Sequence, residues 1–209
     1  MPIDRFARPA LIVVDMQNDF VRVGAPLEVP DARATIPVQQ SLIAAGRAAS
    51  APIIYTRFIA GPQRTLVWEW SPQHAPPVCC CWPGFPRFYP DVGRELDCAA
   101  VVDELAPEPG DPVVDKYGYG AFHRTNLADV RRAHHVQSLL ITGTVTQICV
   151  EETARGGFDH GYPTTIVSDA VSSYIPVLHT ATLDSFARKF GWVSPAADVI
   201  AALRSHRHS

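Results

Sequence analysis

An α/β fold is predicted for this chain: a three-layer α/β/α sandwich around a mainly parallel, Rossmann-like central sheet. Short β-type runs alternate with helical segments along most of the 209 residues. The run Ala10-Leu11-Ile12-Val13-Val14 is continuously apolar, as a strand buried on both faces requires. Strands separated by helices pair in parallel through right-handed crossovers, which places helices on both sides of the sheet.

The first strand covers residues 10–14 and stops at Asp15, and residues 34–50 read as helix. A second strand covers 51–58, with Pro52 at its start, where a missing N–H is tolerated. The third covers 112–115, followed by a helix over about 126–134. The fourth covers 138–142, followed by a helix over about 146–160. The fifth covers 164–167, followed by a helix over about 179–190. Trp192-Val193 is a short sixth strand, and 196–203 form the last helix.

Residues 59–90 break this alternation. They hold Pro62, Pro72, Pro76, Pro77, Pro83, Pro86 and Pro90, with three of the four tryptophans, Trp68, Trp70 and Trp82. A long segment without elements of its own is usually functional or disordered. Its aromatic content argues against disorder. We read it as a structured pocket wall or lid, or an oligomer contact, within a single domain spanning 1–209.

Composition excludes several classes. The chain is 47% hydrophobic and 19% charged, ordinary for a globular domain with a full core. A net charge of −3 gives no electrostatic case for nucleic acid or an anionic membrane. No apolar run approaches the roughly 18–20 residues that span a bilayer. The start, Met1-Pro2-Ile3-Asp4-Arg5-Phe6, carries no signal-peptide core. Five cysteines, three of them consecutive (Cys79, Cys80, Cys81), suit no common disulfide framework or zinc spacing. Reduced thiols in a cytoplasm are the expectation. The basic tail from Arg204 to Ser209 reads as frayed rather than metal-binding.

Ligands of such sheets bind beyond the carboxyl ends of the strands. Residues following strands are therefore the functional candidates. Asp15 follows the first strand, Lys116 the third and Cys149 the turn after the fourth. Singly, each has a plain structural reading: a turn cap, a solvated strand end, a small core hydrophobe. Together they make a working set. Asp15 can take the thiol proton and return it to a leaving amine. Lys116 keeps the carboxylate ionised and lowers the thiol pKa, as does a helix N-terminus. Cys149 can then attack a carbonyl, giving a thioester that water hydrolyses.

Three stretches resemble the isochorismatase-like cysteine hydrolases: Asp15-Met16-Gln17-Asn18-Asp19-Phe20, Lys116-Tyr117-Gly118-Tyr119-Gly120-Ala121-Phe122, and Gly143-Thr144-Val145-Thr146-Gln147-Ile148-Cys149-Val150-Glu151. The match resumes at Gly161-Tyr162, at Ser168-Asp169-Ala170-Val171 and near Phe190-Gly191-Trp192-Val193. The resemblance implies an Asp-Lys-Cys triad at Asp15, Lys116 and Cys149. It also implies a cis peptide at Thr144–Val145, an oxyanion hole from the N–H groups of Val145 and Cys149, no cofactor, and a homo-oligomer.

The nicotinamidases of that family carry an Asp-x-His…His metal site after the second strand. Here the position reads Thr56-Arg57-Phe58-Ile59-Ala60-Gly61-Pro62, and His74 alone cannot make the site, so no metal is expected. Members that cleave a vinyl ether lack the nucleophilic cysteine. What remains is a metal-independent amidohydrolase, similar to those acting on N-carbamoylsarcosine, ureidoacrylate, biuret or maleamate. It would cleave a small amide or ureide and release ammonia or an amine. The alternatives are a vinyl-ether hydrolase working through Asp15, and a thiol-bearing binding or redox protein on the same fold. Arg57, Arg64 and Arg87 are candidate partners for a substrate carboxylate. Phe20, Trp68, Trp70, Trp82 and Tyr117 are candidate pocket walls. Gln17 and Asn18 are candidates to position the base. Tyr119 and Phe122 read as packing, and Asp169 as the cap of the segment after the fifth strand.

Overall fold

The computed structural model describes residues 3–205, so the tail residues 206–209 lie outside it. Its strands are β1 (Pro9–Val14), β2 (Ile53–Phe58), β3 (Pro86–Tyr89), β4 (Arg94–Asp97), β5 (Val113–Lys116), β6 (Ser138–Thr144), β7 (Thr164–Ser172) and β8 (Trp192–Ser194). Six of them form one sheet in the order β5-β2-β1-β6-β7-β8, and every neighbouring pair is parallel. β3 and β4 form a separate antiparallel pair. The helices are α1 (Asn18–Val21), α2 (Ala32–Ala48), α3 (Val67–Trp70), α4 (Leu127–Ala133), α5 (Glu151–Asp159), α6 (Pro176–Lys189) and α7 (Ala196–Ser205).

Side chains of a strand alternate between faces, and here both faces are covered. Leu11, Val13, Tyr55, Leu140 and Val167 pack on one side with Leu42 of α2 and with Val199 and Leu203 of α7. Ala10, Ile12, Val14, Ile54, Val114, Ile141 and Ile166 pack on the other with Leu127 of α4, Ala154 of α5 and Phe186 of α6. The strand order changes direction between β1 and β6, so the crevice for a ligand opens at their carboxyl ends. Gly143 makes that junction possible. It has φ +106°, and a Cβ there would lie 2.0 Å from the Val14 carbonyl oxygen.

The structure departs from the expected elements in several places. β7 runs on to Ser172, because a register shift between Ile141 and Gly143 lets Val171 pair with Gly143. The helix expected over 146–160 is divided into a π-helical turn, Thr146–Val150, and α5. α6 starts at Pro176, where a proline suits the first helical turn. Asp169 does not cap the segment after its own strand: its Oδ1 accepts the Ala196 N–H at 2.7 Å, which caps α7.

The proline-rich segment is folded onto the sheet. The Trp68 indole N–H donates to the Ala60 carbonyl at 2.7 Å, and that of Trp82 to the His74 carbonyl at 2.9 Å. Arg87 Nε and the Tyr89 hydroxyl both donate to Asp19 Oδ1, at 2.7 and 2.8 Å, and the Cys81 N–H donates to Oδ2 at 2.8 Å. Asp19 is fully buried, so these bonds tie the segment to the end of β1. Residues 86–90, the end of the stretch read from sequence as irregular, join residues 91–97 in the β3–β4 hairpin that supplies Arg87 and Tyr89.

Candidate active site

Asp15 stands one residue past β1, with φ +49° and no exposed surface. Its N–H lies 3.3 Å from both the carbonyl and the hydroxyl oxygen of Thr56, the neighbour on β2. The Thr56 hydroxyl donates to Asp15 Oδ1 at 2.6 Å. Oδ2 faces Lys116 Nζ at 2.7 Å and has no further hydrogen-bond partner. Lys116, the last residue of β5, is also fully buried; it donates to the Gly118 carbonyl at 3.2 Å and lies 5.0 Å from the Phe58 ring centroid.

The Cys149 thiol lies in the π-helical turn and interacts with both Asp15 and Lys116. Burial pushes the thiol up, Lys116 pulls it down and Asp15 pushes it up again, leaving it well above the ordinary thiol range. Lys116 loses solvation, but Asp15 and Cys149 more than compensate and hold its pKa above the ordinary lysine value. Lys116 lowers the thiol pKa as expected, but burial outweighs it, so the net shift is upward and the free site rests as a thiol beside the Lys116–Asp15 pair. Removal from water outweighs one neighbouring cation whose charge Asp15 already balances.

The Thr144–Val145 peptide is cis. The turn after it is held by polar side chains. Thr146 donates its hydroxyl to the Ser172 carbonyl at 2.9 Å, so it must accept from His179 Nδ1, also at 2.9 Å. The Ile148 and Val150 N–H groups close on the Val145 carbonyl at 3.0 and 3.2 Å.

Cys149, Thr144 and Val145 border a cleft of about 390 Å³. Its apolar wall includes Phe20, Leu27, Phe58, Trp70, Tyr119, Ile148 and Tyr174, and its polar side includes Glu28, Ser71, Gln73 and His74. Of the candidates read from sequence, Phe20 and Trp70 face this cleft. Gln17 does not. Its amide is spent inside the protein, donating to the Phe58 and Ala99 carbonyls at 3.0 and 2.9 Å and accepting the Phe58 N–H at 2.6 Å. Asn18 likewise holds the Asp97 carbonyl at 2.9 Å. Trp68 and Trp82 pack against each other with tilted rings, centroids 6.1 Å apart, and neither they nor Tyr117, 60% exposed, line the cleft. The three arginines are all engaged: Arg57 with Asp115, bidentate at 2.8 and 2.9 Å, Arg64 with Glu69, and Arg87 with Asp19.

Glu28, Gln73, His74 and Tyr119 are cleft residues that the sequence did not reveal as such. Glu28 and the Gln73-His74 pair lie in irregular stretches without a periodic signal, and Tyr119 read as packing. Glu28 is held below the ordinary carboxylate range: burial raises it, but the Gly24 N–H at 2.8 Å and Arg33 at 2.7 Å overcome that. His74 is buried, and burial pushes its pKa down. Its Nδ1 lies 3.1 Å from the Cys80 carbonyl, which can only accept, so Nδ1 carries the proton.

Asp19, Cys80 and Cys81 form a group whose ligand atoms lie within 4.8 Å of one another. Both Asp19 oxygens are already taken by Arg87, Tyr89 and the Cys81 N–H. Burial pushes Cys81 well up, and Cys80 is also raised, so both thiols keep their protons and the group is committed to internal bonds.

Residues 9–198 match the model of the isochorismatase domain. The chain belongs to the isochorismatase family. It is 34% identical to a ureidoacrylate amidohydrolase RutB of Methylorubrum extorquens, over 93% of this chain and 82% of that protein. The cysteine hydrolase of Pseudomonas syringae pv. phaseolicola superposes with a TM-score of 0.81 at 30% identity, covering 98% of this chain and 96% of that one. The N-carbamoylsarcosine amidase of Thermoplasma acidophilum superposes with a TM-score of 0.74 at 28% identity, covering 91% and 97%. These relatives agree with the expectation of a hydrolase acting on non-peptide carbon–nitrogen bonds. No helix among the described residues is long and apolar enough to cross a membrane.

Proposed function

We propose that this isochorismatase-family protein is a metal-independent cysteine amidohydrolase that cleaves a small amide or ureide through a thioester, with one domain carrying the whole site. The observation that supports it most is the Asp15 Oδ2 atom. It is buried, ion-paired with Lys116 at 2.7 Å and otherwise unbonded, next to the only cysteine that borders the cleft among the described residues. On this reading Asp15 takes the Cys149 proton as sulfur attacks the substrate carbonyl. The N–H groups of Val145 and Cys149 receive the oxyanion. As the tetrahedral intermediate collapses, Asp15 protonates the leaving nitrogen, and ammonia or an amine departs. Asp15 then deprotonates the water that cleaves the thioester, restoring the thiol. Lys116 pairs with Asp15 Oδ2 in the free enzyme.

The raised thiol pKa fits this order of events, because the proton moves only when a substrate carbonyl is in place. A panel of amides and ureides assayed for ammonia release tests the reading, with wild type expected to turn over at least one member and Cys149→Ala none. Ammonia release that survives Cys149→Ala would sink the cysteine mechanism, hydrolysis of a vinyl ether that survives iodoacetamide would favour the alternative through Asp15, and inhibition by EDTA would sink metal independence. The same reading places the protein in the cytoplasm as a homo-oligomer. Leu66, Trp70 and Val177, 75%, 76% and 70% exposed, are among the exposed apolar side chains that a subunit contact could cover, and light scattering would detect such a contact.

A further inference from the structure

Strand β2 supplies no member of the Asp15, Lys116 and Cys149 set, yet it runs between the strands that lead to the two charged ones. Val14, the residue before Asp15, is the register partner of Thr56, and Lys116 is that of Phe58. β2 therefore sets one side chain against each charge: the Thr56 hydroxyl against the Asp15 carboxylate, and the Phe58 ring against the Lys116 ammonium. The ring contact is packing. The hydroxyl contact is directional, short at 2.6 Å, and closed on both sides, because the Thr56 oxygen also lies 3.3 Å from the Asp15 N–H. A hydroxyl has one hydrogen, and here it goes to Asp15 Oδ1. Thr56 and Asp15 have no exposed surface, so water does not compete for this bond. With Oδ1 held, Oδ2 is the oxygen left beside Lys116 with no further hydrogen-bond partner.

We infer that Thr56 is a positioning residue for the hydrolysis: its hydroxyl pins Oδ1 and so reserves Oδ2 as the atom that exchanges a proton with Cys149. The inference rests on the amidohydrolase reading for its effect on rate, whereas the pinning itself is a matter of geometry. In the forward step the proton leaves Cys149 Sγ for Oδ2 as sulfur bonds to the substrate carbonyl carbon. In collapse it passes from Oδ2 to the leaving nitrogen as the carbon–nitrogen bond breaks. Thr56 gives up no proton in either step and touches no substrate atom. A buried oxygen left unmatched costs free energy. Without the hydroxyl, the carboxylate is expected to turn so that both oxygens share Lys116, and neither then faces the thiol squarely. Backbone geometry does not hold it in place by itself, since Asp15 at φ +49° has left the extended path of β1.

Two substitutions in the full chain test it. Thr56→Val removes the hydroxyl and keeps the β-branched shape that suits a strand. Thr56→Ser keeps the hydroxyl and removes a methyl group. Both variants and wild type are assayed for ammonia release on an amide or ureide that wild type turns over, with kcat taken per folded molecule, and their crystal structures are determined. Thr56→Val is expected to lower kcat by about thirtyfold to a hundredfold, since misplaced groups in a proton transfer cost that much. KM should stay within about twofold, and Thr56→Ser should return kcat to within about threefold of wild type. The Asp15 carboxylate should be turned in the valine variant and keep its wild-type orientation in the serine variant. A serine variant as slow as the valine one, a loss confined to KM, or a valine variant with wild-type kcat overturns the inference. So does an unmoved carboxylate in the valine variant, whatever its rate. If wild type releases no ammonia, or Cys149→Ala releases as much, the amidohydrolase reading fails. The two crystal structures then still decide the pinning: a carboxylate turned only in the valine variant supports it, and any other result removes it.

Discussion

The molecule contains two buried clusters built from the same parts, and they behave differently. At the end of β1, Asp15 meets Lys116 and Cys149. Four residues on, Asp19 meets Arg87 and the thiols of Cys80 and Cys81. Both aspartates have no exposed surface, both pair with a cation, and both sit beside thiols raised by their surroundings. The difference lies in what is left over. Asp19 is saturated by three protein hydrogens, and its thiols do not border the cleft. Asp15 keeps one oxygen bonded only by an ion pair, and its thiol borders the cleft. Unspent valence and access separate a reactive group from a fastening one, and residue type separates neither.

Substitution of the thiols tests this contrast most strongly. Cys149→Ala is expected to lower kcat by about four orders of magnitude or more, with an unchanged circular-dichroism spectrum. Cys80→Ala and Cys81→Ala should keep kcat within a few-fold and instead lower the unfolding free energy by about 1–3 kcal/mol, read from denaturant titration. The aspartates come next. Asp15→Asn should cost about a thousandfold in kcat, because no base remains for the thiol proton. Asp19→Asn should leave kcat per folded molecule near wild type but cost about 3 kcal/mol of stability, since it strands Arg87 beside a neutral amide. If Asp19→Asn abolished turnover in a protein of normal stability, the distinction between the clusters would collapse.

A smaller effect concerns the resting thiol. Burial and Asp15 hold Cys149 above the ordinary thiol range, so its thiolate fraction is small at neutral pH. Alkylation by iodoacetamide, followed by mass spectrometry of the Cys149 peptide, should accelerate about tenfold per pH unit from pH 7 to 9. A plateau below pH 8 would show a preformed thiolate and reverse the proposed order of proton transfer.

The smallest effect is a control remote from both clusters. Burial, followed by nearby Asp111, pushes the Tyr55 phenol up to about 12. An unfolded chain ionises its tyrosines near pH 10, while the folded protein retains this proton to about pH 12. The resulting stability is complete below pH 10 and is lost as the pH climbs from 10 to 12. Tyr55→Phe should flatten that decline in a pH-dependent denaturant series, and Asp15→Asn should not remove it.

Local sequence was enough to set the alternation of strands and helices, the six parallel strands and the placing of Asp15, Lys116 and Cys149 at or beyond the carboxyl ends of three of them. Those features follow from periodicity and from the rule that parallel sheets bind ligands at one end. It also exposed the missing metal ligands after β2, since a metal site needs named donors at short spacing. Other properties came into being only when distant segments met. The Gln17 amide looks available in sequence and is consumed by β2 and the loop at residue 99 once those segments close on it. Arg57 looks free until β5 places Asp115 beside it. Asp169 looks like a cap for the segment after its own strand and caps a helix that begins 27 residues later. The sign of the thiol shift was also invisible, because desolvation depends on everything packed around the sulfur and not on the neighbours in sequence. The cleft itself is lined by side chains drawn from residues 20–28, 58, 70–74, 119, 144–149 and 174 and exists only after they converge.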